Sequence, residues 1–217
     1  MKIIHAMVVA VATFSLTAGA APASAAKVAL WHMNETSGTR MVDSVGRNDG
    51  TLHNVTLKVP AAAGQGTAYG FNGSSSYVSV PSTNSLNAGS RSIKITIHLK
   101  TNSKPAKPDW DLIRKGVYTT PGGEFKVEYQ PSGQATCAFK GSKYAELTAG
   151  PSLADNKWHT VVCIKEAASV KLVVDGKTFS QSITIGSVSN SEPVVLGAHP
   201  GSEFFKGTLD EASIEIN

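Results

Sequence analysis

Ile93-Lys94-Ile95-Thr96-Ile97-His98-Leu99-Lys100 is the stretch whose reading decides the fold class. Its apolar side chains fall on every second residue, so Ile93, Ile95, Ile97 and Leu99 share one face and Lys94, Thr96, His98 and Lys100 the other. Successive side chains of an extended chain point to opposite faces, whereas a helix would need apolar residues every three or four positions. The pattern predicts a β-strand with one side in a core and one side facing water, the signature of an antiparallel sheet.

The same period runs outward in both directions. Glu124 to Gln130 alternates Phe125, Val127 and Tyr129 with Glu124, Lys126 and Glu128. Val28 to Met33, Thr67 to Asn72, Tyr77 to Val80, Leu112 to Lys115, Thr136 to Lys140, Trp158 to Lys165, Val194 to Gly197 and Thr208 to Ile216 read as further strands. Val170 to Val174 runs into Asp175-Gly176, a two-residue hairpin signal, and then into Thr178 to Ile185. Gly, Pro, Asn and Ser fill the gaps. Asn102 to Pro108 and Ala61 to Gly66 are expected as surface loops. Helical periodicity is nearly absent. About a dozen short strands at such spacing imply an all-β fold, a two-sheet antiparallel sandwich or jelly roll.

The first 25 residues read differently. Lys2 precedes an apolar run from Ala6 to Leu16, and the segment ends Ala23-Ser24-Ala25. A basic start, a short apolar stretch and a small-residue cleavage triplet are the parts of a secretory signal peptide. The run is broken by Thr13, Ser15 and Thr17 and falls short of the roughly 20 apolar residues of a membrane span. We expect residues 1–25 to be a signal peptide and 26–217 one sandwich domain, secreted and extracellular, with no membrane insertion. The net charge of +4 is spread without runs, which argues against a nucleic-acid partner.

Cys137 and Cys163 are the two cysteines, and in an exported chain such a pair is read as a disulfide. Both lie in strand-like segments, so a bridge between neighbouring strands is one expectation and two separately buried thiols the other. Trp158 shares a face with Thr160, Val162 and Ile164, and that face is expected in the core, as is Trp31. Cys163 then lies on the opposite face, and a bridge there would staple one sheet from outside the core.

Four segments carry a family resemblance. They are Leu30 to Gly38 followed by Val42 to Leu52, Tyr69-Gly70-Phe71-Asn72-Gly73 with Tyr77 to Pro81, Trp158 to Val162 with Val173-Val174-Asp175-Gly176, and Phe205 to Ala212. In this order they are similar to the laminin-G-like branch of the concanavalin A-like lectin/glucanase fold. Lys115-Gly116 also fits, and the cysteine pair looks like the version found in secreted bacterial members. The resemblance implies a structural Ca2+ where the first long loop meets the last strand, with Asp43 and Asp210 as carboxylate ligands and Asn48 as a carbonyl donor. Calcium takes six to eight oxygen ligands, commonly from such irregular loops. Asp43-Ser44 and Asn48-Asp49-Gly50 are equally ordinary turn chemistry.

Catalysis finds little support in the sequence. Sugar hydrolysis needs two carboxyl groups across the scissile bond. The glucanases of this fold place theirs as Glu-x-Asp-x-x-Glu, which does not occur here. Glu124 and Glu128 alternate with Lys126 as a solvated face would. The expected function is non-catalytic carbohydrate recognition, because sugar sites on sandwiches pair an aromatic ring with hydrogen-bonding side chains. Trp110, between Asp109 and Asp111, is the leading aromatic, followed by Tyr118, Tyr129 and Tyr144. Trp110 could equally anchor its own loop. The expected partner is a glycan or glycosylated surface. The competing readings are a protein-interaction domain with calcium as a rivet, and a divergent glycan-active enzyme.

Overall fold

The structure is a computed structural model that describes residues 26–62, 64–199 and 201–217. The expected signal segment lies outside the described residues. In chain order the strands are β1 (Ala26–Trp31), β2 (Arg40–Met41), β3 (Gly50–His53), β4 (Thr56–Pro60), β5 (Thr67–Asn72), β6 (Tyr77–Val80), β7 (Ile93–Lys100), β8 (Trp110–Lys115), β9 (Glu124–Tyr129), β10 (Ala135–Lys140), β11 (Tyr144–Ala149), β12 (Trp158–Lys165), β13 (Ser169–Val174), β14 (Lys177–Ser182), β15 (Val194–Leu196) and β16 (Lys206–Ile216). One 3-10 turn, Asn84–Leu86, precedes β7.

These strands make two antiparallel sheets. The first runs β14-β13-β12-β7-β16-β5-β4, with β1 also on β16; the second runs β11-β10-β9-β8-β15-β6-β3-β2. β7 lies near the middle of the first sheet, and its burial alternates as the sequence predicts, with Ile93, Ile95, Ile97 and Leu99 buried. Burying each such side chain contributes about 1.5–3 kcal/mol. Phe125, Val127 and Tyr129 of β9 and Phe139 of β10 supply the opposing wall.

β16 changes partner part-way along. Lys206 to Leu209 pair with β5, whereas Ala212 to Ile216 pair with β1. The pairing with β7 slips between Asp210 and Ser213 at the same point, where Glu211 takes a positive φ of 47°. A bulge there frees one residue from the ladder and re-aims its neighbours.

Two expectations are corrected. Cys137 and Cys163 do form a disulfide, with Cα atoms 5.4 Å apart. It joins β10 of the second sheet to β12 of the first, and both residues are fully buried. The bridge therefore crosses the core rather than stapling neighbouring strands from outside. The face of β12 is likewise the reverse of the expected one: Val161, Cys163 and Lys165 point inward, and Trp158 is half-buried on the other side. The tryptophan misled because Thr160, Val162 and Ile164 are as β-prone as the residues between them. Trp31 is fully buried, as expected.

Candidate ligand-binding groove

The outer face of the second sheet is not a solvated face. Glu124 and Glu128 on β9 are 1% and 2% exposed, and Arg114 on β8 is 5% exposed. Three loops overhang them: the one before β8 bearing Asp109, the β8–β9 loop with Val117 and Tyr118, and the β15–β16 loop with His199 and Glu203. Two cavities of about 280 and 250 Å3 open there and share Arg114, Val117 and His199 as walls.

The β8–β9 loop is pressed into place by glycine. A Cβ on Gly122 would lie 1.8 Å from the carbonyl oxygen of Ser189, and one on Gly123 the same distance from that of Lys140. Both glycines also have φ near +85°, which side-chain-bearing residues avoid.

The charges are arranged against the usual rule for sheets. In the β8–β9 register Asp111 stands opposite Glu128, and Arg114 is opposite Lys126. Like charges directly across a ladder are destabilising. Pairs along each strand, one diagonal pair and one loop carboxylate compensate. Arg114 reaches Asp111, Glu203 at 3.3 Å and Glu124 at 3.5 Å, while Lys126 pairs with Glu128. Burial raises the Glu128 carboxyl to about 9, helped by the neighbouring Asp109 carboxylate and opposed by Lys126. Burial also raises Glu124 and Asp111, with Arg114 pulling both down. His199 is held low by burial and by the Arg114 charge. Strongly perturbed carboxyls in a cleft mark candidate functional sites.

The four aromatics expected at a ligand site divide. Tyr118 is 57% exposed, and its ring meets that of Tyr144 edge-on at 5.1 Å; both line the groove with Glu128. Burial and a hydrogen bond to Glu146 raise the Tyr144 hydroxyl. Tyr129 is fully buried and belongs to the core. Trp110 stacks on Tyr129 at 5.9 Å and meets Phe205 at 5.8 Å, so it anchors its loop and is not a wall of the groove. Glu124 and Glu128, expected with Lys126 as a solvated face, are buried instead, and Arg114, His199 and Glu203 are groove residues the sequence did not single out. The signal available was a double one: charges at alternate positions of β9 beside Asp111-x-x-Arg114 on β8.

The residues implied for calcium also divide. Asp43 accepts the backbone N–H groups of Leu30, Val45 and Gly46 on Oδ1, and the N–H and Nδ2 of Asn48 on Oδ2. These bonds hold its carboxyl below the usual range although burial opposes them. Asn48 is equally committed. Its backbone oxygen accepts from the Trp31 indole at 2.7 Å, and its side-chain oxygen accepts from Thr83 and Ser85. Asp43 thus does not fit a metal-ligand role, since N–H groups already occupy the lone pairs an ion would need, and the Asn48 side-chain oxygen is likewise taken by two hydroxyls. Asp210 is the opposite case. It sits at the β16 bulge, fully buried, with both carboxylate oxygens unpartnered. Burial raises it to about 7, opposed by the Glu211 backbone N–H, which lies near the carboxylate but outside good hydrogen-bond geometry. Among the described residues, no group of three or more His, Cys, Asp or Glu side chains is arranged to hold a metal.

A family model described as the concanavalin A-like lectin/glucanases superfamily, of laminin-G type, matches residues 71–215. The chain belongs to that superfamily. No curated protein matches it. Among solved structures, this laminin-G-like chain is similar to the binding domain of paraclostridial mosquitocidal protein 1, with 16% identity and a TM-score of 0.65 over 87% of this chain and 48% of that one. The binding domain of botulinum neurotoxin DC, solved in complex with SialylT, matches at 13% identity and TM-score 0.67, covering 87% and 47%. Domains LG4-5 of the mouse laminin α1 chain match at 20% identity and TM-score 0.53, covering 68% and 40%. The laminin-G-like chain thus spans about half the length, or less, of these structures, and the likeness is one of fold.

Proposed function

We propose that this is an exported, non-catalytic carbohydrate-binding domain whose ligand lies in the groove on the outer face of the second sheet. One observation carries the reading: Tyr118 and Tyr144 stand at a cleft floored by buried, hydrogen-bonding charges. A sugar ring offers an apolar face for an aromatic and a rim of hydroxyls for fixed polar groups, and ligand sites commonly combine the two. Arg114 is held by Asp111, Glu124 and Glu203, and Lys126 by Glu128, so few rotamers are lost on binding. That the matched toxin binding domain was solved with a sugar-named ligand is consistent with this reading.

Of the residues implied for calcium, Asp210 alone keeps free carboxylate oxygens, and an ion there would need backbone carbonyls and water for the rest of its six to eight ligands. An orphaned, fully buried carboxylate gains most from a cation. The ion would supply structure rather than chemistry there, holding β16 at the point where its partner changes from β5 to β1.

A glycan array probed with the protein, with calcium and again with chelator, tests the reading. Binding that is lost in Tyr118→Ala/Tyr144→Ala, at unchanged melting temperature, is the expected result. Binding that survives the double substitution moves the site elsewhere. Binding to no sugar turns the reading toward a protein-interaction domain.

A further inference from the structure

We infer that the ligand of the groove carries a protonated amine, as a de-N-acetylated amino-sugar polymer does, and that the ammonium seats between Asp109 and Glu128 beside Tyr118. The inference rests on the glycan reading above and adds the chemistry of the sugar.

The charge balance of the groove points this way. The whole chain is basic, at +4. The smaller cavity reverses that sign: Asp109, Glu124, Glu128 and Glu203 line it against two fixed cations, Arg114 and Lys126. Asp111 is a fifth carboxyl beneath Arg114, and one of its oxygens is buried without a partner. Arg114 is already shared by Asp111, Glu124 and Glu203, and Lys126, set against Glu128, is the one cation facing the Asp109–Glu128 pair. Asp109 is left facing the Glu128 carboxyl, with no cation of its own among its ion pairs. His199 brings no fixed charge, since burial and Arg114 both disfavour its protonated form.

Two carboxyl groups in contact in a buried cleft do not both ionise readily against the single cation of Lys126. Glu128 answers by holding its proton when the groove is empty. An ammonium has three donors and one positive charge, enough to bridge both groups once that proton leaves. The aromatic wall suits the same ligand. The Lys140 ammonium, a third cation at the rim, faces the Tyr118 ring at 5.4 Å, so the ring already accepts a cation and a ligand ammonium would share or displace Lys140 there. An acidic sugar would bring its carboxylate toward a carboxyl excess. A neutral sugar would leave Asp109 as it is.

Calorimetry with three β-linked hexasaccharides decides between these: glucosamine, N-acetylglucosamine and glucose, at mildly acidic pH where the free amine is protonated. The glucosamine hexamer should bind at least about tenfold tighter than either neutral one, the ratio expected for a charged hydrogen bond against a neutral one. Its binding heat should also depend on the buffer's ionisation enthalpy, because Glu128 releases a proton. Glu128→Gln keeps the uncharged form of the empty groove and cannot ionise. It should erase both the preference and the proton release while leaving the melting temperature unchanged. Asp109→Asn, at a half-buried loop position, should erase the preference independently. Equal binding of the N-acetylated hexamer, or tighter binding of a uronic acid oligomer, overturns the inference and leaves the glycan reading intact. Binding to a lysine-rich peptide but to no saccharide overturns both.

Discussion

Asp43 shows how one side chain can settle a loop that an ion was expected to organise. It gathers five N–H donors from Leu30, Val45, Gly46 and Asn48. Val45 and Gly46 are exposed and can turn to water, but the two Asn48 donors are buried, and donors left buried and unpaired cost about 1–3 kcal/mol each. Asp43→Ala should therefore lower stability by roughly 3 kcal/mol or more, equally with calcium and with chelator; a loss seen only with calcium would restore Asp43 as a ligand. Asp210 is the counterpart. Its folded pKa of about 7 lies above the ordinary 3.8, so between those values the native state keeps a proton that the unfolded chain has lost. Stability from this group is complete below 3.8 and disappears as pH rises through about 7. At 1.36 kcal/mol per pKa unit the loss is at most about 4 kcal/mol. Urea midpoints measured in chelator should fall across that window, Asp210→Asn should flatten the fall, and calcium should reverse it by binding the ionised form. An equal fall in Asp210→Asn would assign the effect to another group.

At the scale of elements, what was legible depended on where each strand sits. β7 was readable because it lies deep in one sheet with one dry and one wet face, so period two appears unmixed. β12 was bounded correctly but turned over, since Trp158 outweighed Val161 and Cys163 in judging the dry side. β2, β3, β4 and β11 were missed; β2 and β3 are only two and four residues long, and the half-exposed patterns of β4 and β11 carry little contrast. The groove was hidden for a different reason. Glu124-Phe125-Lys126-Val127-Glu128 has the lettering of a wet face, and only loops distant in sequence, reaching Glu203, make it a buried one. Tyr118 and Tyr144 were found as exposed-looking aromatics, whereas Tyr129 and Trp110 carry the same lettering and turn inward or along the core. The β8–β9 loop gives a test at this scale. Gly123→Ala would drive a methyl group into the Lys140 carbonyl, 1.8 Å from the ideal Cβ, so the loop must shift and take Tyr118 with it. Sugar affinity should drop about tenfold or more, as expected for loss of an anchoring contact, while the fold persists. Unchanged affinity would show that the loop does not hold the ligand.

At the scale of the molecule, the two sheets are held together by apolar packing and by one covalent link through its centre. Cys137–Cys163 closes a segment of 26 residues and joins β10 to β12 across the core. Cross-linking a loop of that length stabilises by about 3.5 kcal/mol in the chain-entropy model, because the unfolded chain loses freedom the folded one never had. Marginal domains have only about 5–15 kcal/mol in hand. Such a bridge persists in an oxidising compartment, in keeping with the proposed export. Cys137→Ala/Cys163→Ala should therefore lower unfolding free energy by about 3.5 kcal/mol, plus the loss from the space two sulfurs leave in the core. Reduction of the wild-type protein should reproduce the first part but not the second. The groove lies on the outer face of the second sheet, beyond Phe125 and Val127, so ligand affinity should be unchanged wherever the double variant is still folded. A parallel loss of affinity would mean that the sheets shift against each other when the link is cut, and that the spacing of β8 and β9 under Arg114 and Glu128 depends on the bridge.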